Sequence, residues 1–226
     1  MTKEQSVKNL DEIITKIESA RLKCNAHHIV SLVGISKYNT ADDIKTLYLS
    51  GQRAFGENKV QDLKEKSSQL NDYPISWHFV GRLQTNKINQ LIDLAPVLMH
   101  SLEDYDLANE LDKRLKIKNK KMKCLLQINS AKEESKAGVM PEVAVETYKK
   151  IKQDFTNIEL IGVMSIGAHS DDKELIKKSF ITTKNIFDTL KNDGATICSM
   201  GMSSDYELAI ELGSNMVRIG SSLFKD

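Results

Sequence analysis

The residues of this chain best able to do chemistry are a lysine, two glycine–serine turns and an arginine. Lys37 follows the apolar run Ile29-Val30-Ser31-Leu32-Val33-Gly34-Ile35-Ser36, whose length and β-branched content predict a buried strand over 29–36. A lysine at the C-terminal end of a parallel strand faces the mouth where α/β proteins bind ligands. A partly desolvated amine there is easily deprotonated and can form a Schiff base with a carbonyl compound. The plainer alternative is a strand-end lysine lying in solvent. Gly201-Met202-Ser203-Ser204 and Gly220-Ser221-Ser222 each follow a short apolar run. Glycine lets backbone N–H groups approach an anion, and serine hydroxyls add donors. The alternative is a pair of tight turns with serine caps. Arg218 lies two residues before Gly220, inside a strand-like segment. A buried arginine needs a partner, either a carboxylate in an ion pair or a ligand such as a ring nitrogen.

These residues gain meaning from the elements that would carry them. The N-terminal stretch 4–24 has helical apolar spacing. After it, strands are predicted at 29–36, 53–56, 75–80, 97–101, 123–129, 159–165, 197–200 and 215–219. Helices are predicted between and after them near 41–50, 58–70, 85–93, 103–117, 141–154, 173–191 and 204–212. Thr40 is placed to cap the first of these, and Pro141 suits a first helical turn. Eight strand–helix alternations without a Pro/Gly/Ser-rich linker imply a parallel sheet. In about 200 residues they imply one (β/α)₈ TIM-barrel domain over 1–226. An open doubly wound sheet is the alternative, but no GxGxxG follows the first strand.

On a barrel, the loops after strands seven and eight are the usual phosphate site. They hold Ser203, Ser204, Gly220 and Ser221. Other polar residues at predicted strand ends are Glu57, Asn58, His78, Arg82, Gln84, Asn86, Lys87, Asn129, Lys136 and Ser165. His78 reads best as a hydrogen-bonded core histidine, and Glu57-Asn58 could simply start a helix. A lysine, a phosphate cradle and a barrel cation together suit pyridoxal 5′-phosphate (PLP), which needs an amine, anion donors and a partner for its ring nitrogen. An arginine at that nitrogen disfavours its protonation and weakens the ring as an electron sink. That suits a carrier, or racemisation through a short-lived carbanion.

Composition bounds the rest. Lys plus Arg number 32 and Asp plus Glu 31, a net charge of +1, so nothing points to nucleic acid or an anionic membrane. No apolar run reaches the length of a transmembrane helix, and the first residues lack the apolar region of a signal peptide. Cys24, Cys124 and Cys198 are scattered, without CxxC spacing, and read as reduced thiols rather than a disulfide frame or zinc site. A cytoplasmic monomer is the expectation.

Five segments make the reading specific. Val33-Gly34-Ile35-Ser36-Lys37, Phe55-Gly56-Glu57-Asn58-Lys59-Val60-Gln61, His78 to Lys87, Ser199 to Asp205 and Val217-Arg218-Ile219-Gly220-Ser221 resemble, in order, the pyridoxal phosphate homeostasis protein family of the YggS type. The resemblance implies a fold-type III barrel like the N-terminal domain of alanine racemase. It implies Lys37 as the Schiff-base lysine, Arg218 at the pyridine nitrogen, and Ser203, Ser204, Gly220 and Ser221 at the phosphate. Asn58 and Met164 would lie near the cofactor. The sequence departs from the family's usual pattern at Lys59, near Gly167-Ala168 and in the loop 130–134, all at the rim of the expected site.

The resemblance favours a protein that holds PLP and regulates its supply, with PLP-dependent apo-enzymes as candidate recipients and no substantial turnover. A racemase-type enzyme is the alternative. It would need a second β domain with a catalytic tyrosine, and the sequence given ends six residues after Gly220. Two-base racemisation needs an acid or base on each face, and Lys37 is the evident one. A barrel aldolase would place its lysine on a later strand.

Overall fold

The computed structural model describes all residues except Glu134, Ser135, His169 and Asp226. Helix α1 (Lys3–Cys24) comes first. Then strands and helices alternate: β1 (Ser31–Ile35), α2 (Ala41–Leu49), β2 (Ala54–Glu57), α3 (Val60–Gln69), β3 (Ser76–Phe79), α4 (Ile88–Leu94), β4 (Leu98–Leu102), α5 (Tyr105–Ile117), β5 (Met122–Ile128), α6 (Pro141–Asp154), β6 (Ile158–Ser165), α7 (Lys173–Leu190), β7 (Ile197–Ser199), α8 (Tyr206–Glu211) and β8 (Met216–Ile219). The strands pair in chain order, all parallel, and β8 closes onto β1. This is the expected (β/α)₈ barrel.

Local chemistry explains the element starts. Thr40 accepts from the Asp43 backbone N–H while the Asp43 side chain accepts from the Thr40 N–H, a reciprocal cap on α2. Pro141 begins α6, where its missing N–H costs nothing. The first strand is shorter than 29–36: Ile29 is 81% exposed, outside the ladder that begins at Ser31. The helix expected near 85–93 is a 3₁₀ turn, Thr85–Lys87, followed by α4.

Because each strand alternates its faces, the barrel has two apolar regions. Val33, Leu98, Leu125, Met164 and Met216 fill the interior. Phe55, Phe79, Met99, Leu126, Val163 and Val217 face outward under the helices. Burying each such side chain contributes roughly 1.5–3 kcal/mol over leaving it exposed. Helix α1 packs on α8 and α2. Its buried Asn9 donates from Nδ2 to the Leu223 and Lys225 carbonyls, at 3.3 and 2.7 Å. That contact ties down the segment after β8, which carries Gly220 and Ser221. Among the described residues no helix is long and apolar enough to cross a membrane.

Candidate functional site at the C-terminal mouth of the barrel

Lys37 lies at the rim, two residues beyond the end of β1. Ser36 leaves the ladder but stays buried, its N–H donating to the Gly56 carbonyl. The chain then turns, the Asn39 N–H donating to the Ser36 carbonyl. Lys37 is therefore exposed, with Nζ 4.8 Å from the Tyr38 ring centroid. The partial desolvation expected from a buried strand end is not present: the strand stops before it reaches the lysine.

What holds this turn is Glu57. Its fully buried carboxylate accepts at Oε1 from Ser36 Oγ at 2.6 Å and from Lys66 Nζ at 2.7 Å. Lys66 also donates to the Ser36 carbonyl at 2.7 Å. Glu57 thus faces α3 rather than the mouth and braces the backbone next to Lys37. Asn58 does not start the helix, since the N-cap is Lys59. Its backbone carbonyl lies against Gly81, where any Cβ would sit 1.9 Å from the Asn58 oxygen. That contact requires glycine and joins the loops after β2 and β3.

The two glycine–serine turns come together as expected. Gly201 has φ +93°, a conformation that favours glycine, and a Cβ there would meet the Ala209 side chain and the Tyr206 backbone. Asp205 Oδ1 accepts from the Met202 N–H at 2.6 Å and closes the turn. Burial pushes the Asp205 carboxyl above its ordinary range, against the opposing pull of the Met202 N–H and Arg218. Ser203 Oγ accepts from the Gly220 N–H at 3.3 Å, so the loops after β7 and β8 face one another directly. Ser204 and Ser221 are exposed at the same mouth. The helix expected from 204 starts only at Tyr206 because this turn occupies Ser203 to Asp205.

Arg218 is 5% exposed. Its Nη1 donates to the Ser199 carbonyl at 3.0 Å and Ser199 Oγ at 2.7 Å, and its Nη2 to the Ser165 carbonyl at 2.9 Å. Burial draws the guanidinium down to about 10, with Asp205 and Cys198 opposing, so it remains a cation at neutral pH. Among the described residues no carboxylate forms an ion pair with it and Nε makes no hydrogen bond. The ion pair considered from sequence is thus replaced by a cage of carbonyl and hydroxyl oxygens. Met164 is 1% exposed and belongs to the apolar interior, paired across the ladder with Ser199.

His78 is the core histidine expected, but its partner escaped the sequence reading. His78 Nδ1 lies 2.9 Å from His100 Nε2, and His100 Nδ1 lies 3.4 Å from Ser199 Oγ. Within Leu98-Met99-His100-Ser101-Leu102, His100 shares the inward register of Leu98, which was the available signal. Asn129 clamps its own loop by donating to the Glu133 and Lys136 carbonyls, and Arg82 pairs with Glu103 at the surface. Of loop 130–134, Glu134 lies outside the described residues.

The imidazole pair makes stability depend on acid. Burial holds His78 down to about 4, and holds His100 well below the ordinary imidazole range, helped by His78 and Arg218. In the unfolded chain both titrate near the ordinary 6.5. As pH falls from there toward 4 the unfolded state binds the extra protons and stability drops, by about 3 kcal/mol for His78. Urea midpoints should fall over this window in the parent and less steeply in His78→Gln. Equal slopes would show that His78 is not held neutral.

The residues present fit a molecule with an anionic end, a carbonyl and a ring acceptor. Hydroxyl and N–H donors gather on two facing loops, an amine stands at the rim after the neighbouring strand β1, and among the described residues no carboxylate is in ion-pair contact with the buried Arg218. The family model "Alanine racemase, N-terminal domain" matches residues 8–226. The pyridoxal phosphate homeostasis protein of Helicobacter pylori is 52% identical over 217 residues, covering 96% of this chain and 97% of that one. The structure of PipY from Synechococcus elongatus with PLP bound superposes with a TM-score of 0.83 at 27% identity, over 97% of this chain and 100% of that one. Alanine racemase of Clostridium difficile shares the fold, with a TM-score of 0.78 at 18% identity over 96% of this chain and 59% of its own. From the motifs at the barrel mouth to the match along its length, the chain belongs to the pyridoxal phosphate homeostasis protein family.

Proposed function

We propose that this protein binds PLP at the barrel mouth and serves PLP homeostasis by holding and releasing the cofactor, without substantial turnover. The observation that carries the reading is Arg218, a buried cation caged by neutral oxygens beside a two-loop cradle. Bound PLP supplies an aldehyde carbon that condenses with amines. Lys37 provides the amine. Ser203, Ser204, Gly220 and Ser221 bind the phosphate, whose charge strengthens each hydrogen bond. Arg218 donates to the pyridine nitrogen and, as a cation, opposes its protonation. Asn58 and Met164 flank the cofactor from the β2 loop and the barrel interior. The recipients are apo-forms of PLP-dependent enzymes, and the protein works as a cytoplasmic monomer.

Incubating the PLP-loaded protein with each common amino acid in D₂O and following α-proton exchange by NMR tests this. Ordinary enzymes turn over at about 1–10³ per second, and exchange at such rates would establish a racemase-type activity instead. No exchange is expected. Apo-enzyme should also be activated by the loaded protein faster than cofactor dissociation allows. Activation at the dissociation rate would mean buffering rather than delivery.

A further inference from the structure

A buried polar chain crosses the barrel interior behind the candidate site. Arg218 on β8, Ser199 on β7, His100 on β4 and His78 on β3 follow one another at 2.7, 3.4 and 2.9 Å. His100 is fully buried and His78 retains 6% exposure.

The direction of this chain follows from its first member. A guanidinium can only donate, so Ser199 Oγ accepts from Arg218. The acceptor within reach of the Ser199 hydroxyl proton, among the described residues, is His100 Nδ1. If Nδ1 were protonated, Ser199 Oγ would accept from both neighbours. Its own proton would then be buried with no acceptor, a costly arrangement. The Arg218 charge also favours a lone pair over an N–H facing its side of the imidazole. His100 must then carry its proton on Nε2 and donate to His78 Nδ1, which leaves His78 protonated on Nε2.

We propose that Arg218, Ser199, His100 and His78 form a one-way hydrogen-bond chain of neutral Nε2–H imidazoles, in which Ser199, His100 and His78 are positioning residues that orient Arg218 toward its ligand. Ser199 and Ser165 hold Nη1 and Nη2. That leaves the Nε–H edge of the guanidinium for an incoming acceptor. Rotation of Arg218 would break the Ser199 contact and leave the chain without its first donor. The orienting role rests on the PLP-binding reading; the tautomers do not.

The test begins with apo-protein labelled with ¹⁵N-histidine, read by long-range ¹H–¹⁵N correlation NMR. His78→Gln and His100→Gln assign the signals. Both imidazoles are expected to be neutral Nε2–H tautomers at pH 7. A proton on His100 Nδ1, or a cationic ring, would overturn the chain. Ser199→Ala should release His100 from a single tautomer, and Ser199→Thr should restore it. With PLP, Ser199→Ala should weaken binding about tenfold and shift the cofactor absorption, while borohydride still fixes the cofactor on Lys37. Ser199→Thr should recover both. Unchanged affinity and absorption in a folded Ser199→Ala would overturn the orienting role. If that variant does not fold, the parent tautomers still decide the chain. Failure of the parent to bind PLP would overturn the proposed function and leave the tautomer result standing.

Discussion

Lys37→Ala should abolish covalent attachment of PLP to the protein. In the parent, borohydride reduction followed by peptide mapping should place the cofactor on Lys37 Nζ. In the variant the reducible absorption band should vanish, leaving weaker binding anchored by the phosphate. Lys37 stands on a turn fixed by Ser36, Glu57 and Lys66, and among the described residues its amine is held by nothing stronger than the Tyr38 ring at 4.8 Å. An exposed cation–π contact is worth only about 0.5–1 kcal/mol, so a covalent partner displaces it readily. Lys136, by contrast, is already engaged by Glu133 Oε1 at 2.9 Å and the Gly167 carbonyl at 2.8 Å. Label on Lys87 or Lys136, or on no lysine, would refute the assignment.

The second large effect belongs to the proposed phosphate cradle. Ser204→Ala combined with Ser221→Ala should weaken PLP binding by an order of magnitude or more. Each hydrogen bond to a charged group contributes roughly 1.5–3 kcal/mol. Both hydroxyls are exposed at the mouth, so their removal opens no cavity and leaves no buried partner. Pyridoxal, which lacks the phosphate, should bind the double variant about as well as it binds the parent. Titration with both ligands separates the cases. Equal losses for PLP and pyridoxal would mean that the fold, not the phosphate contact, had been damaged. Ser203 is left intact because its hydroxyl already bridges to the Gly220 N–H; changing it would disturb how the two loops meet.

The barrel was legible in the sequence because its signals are local. Apolar runs of strand length alternate with helical spacing, and neither depends on knowing what lies opposite. Lys37, Ser203, Ser204, Gly220 and Ser221 could be chosen on the same basis, since a residue just past a strand end faces the mouth whatever the rest of the barrel does, and Arg218 because a charge within a strand needs a partner. Tertiary structure alone decided what each of them touches. The partners of Arg218 lie 19 and 53 residues away, and those of Lys66 lie 9 and 30 away. His100 met Ser199 across 99 residues. Such pairings follow from barrel closure and strand register, which one strand's sequence does not encode. Hence the sequence alone could mark Arg218 as a buried cation needing a partner, but not that the partners would be carbonyl and hydroxyl oxygens. Likewise it marked Lys37 as the amine at the mouth. Only the early end of the ladder at Ile35 put that amine at the exposed rim.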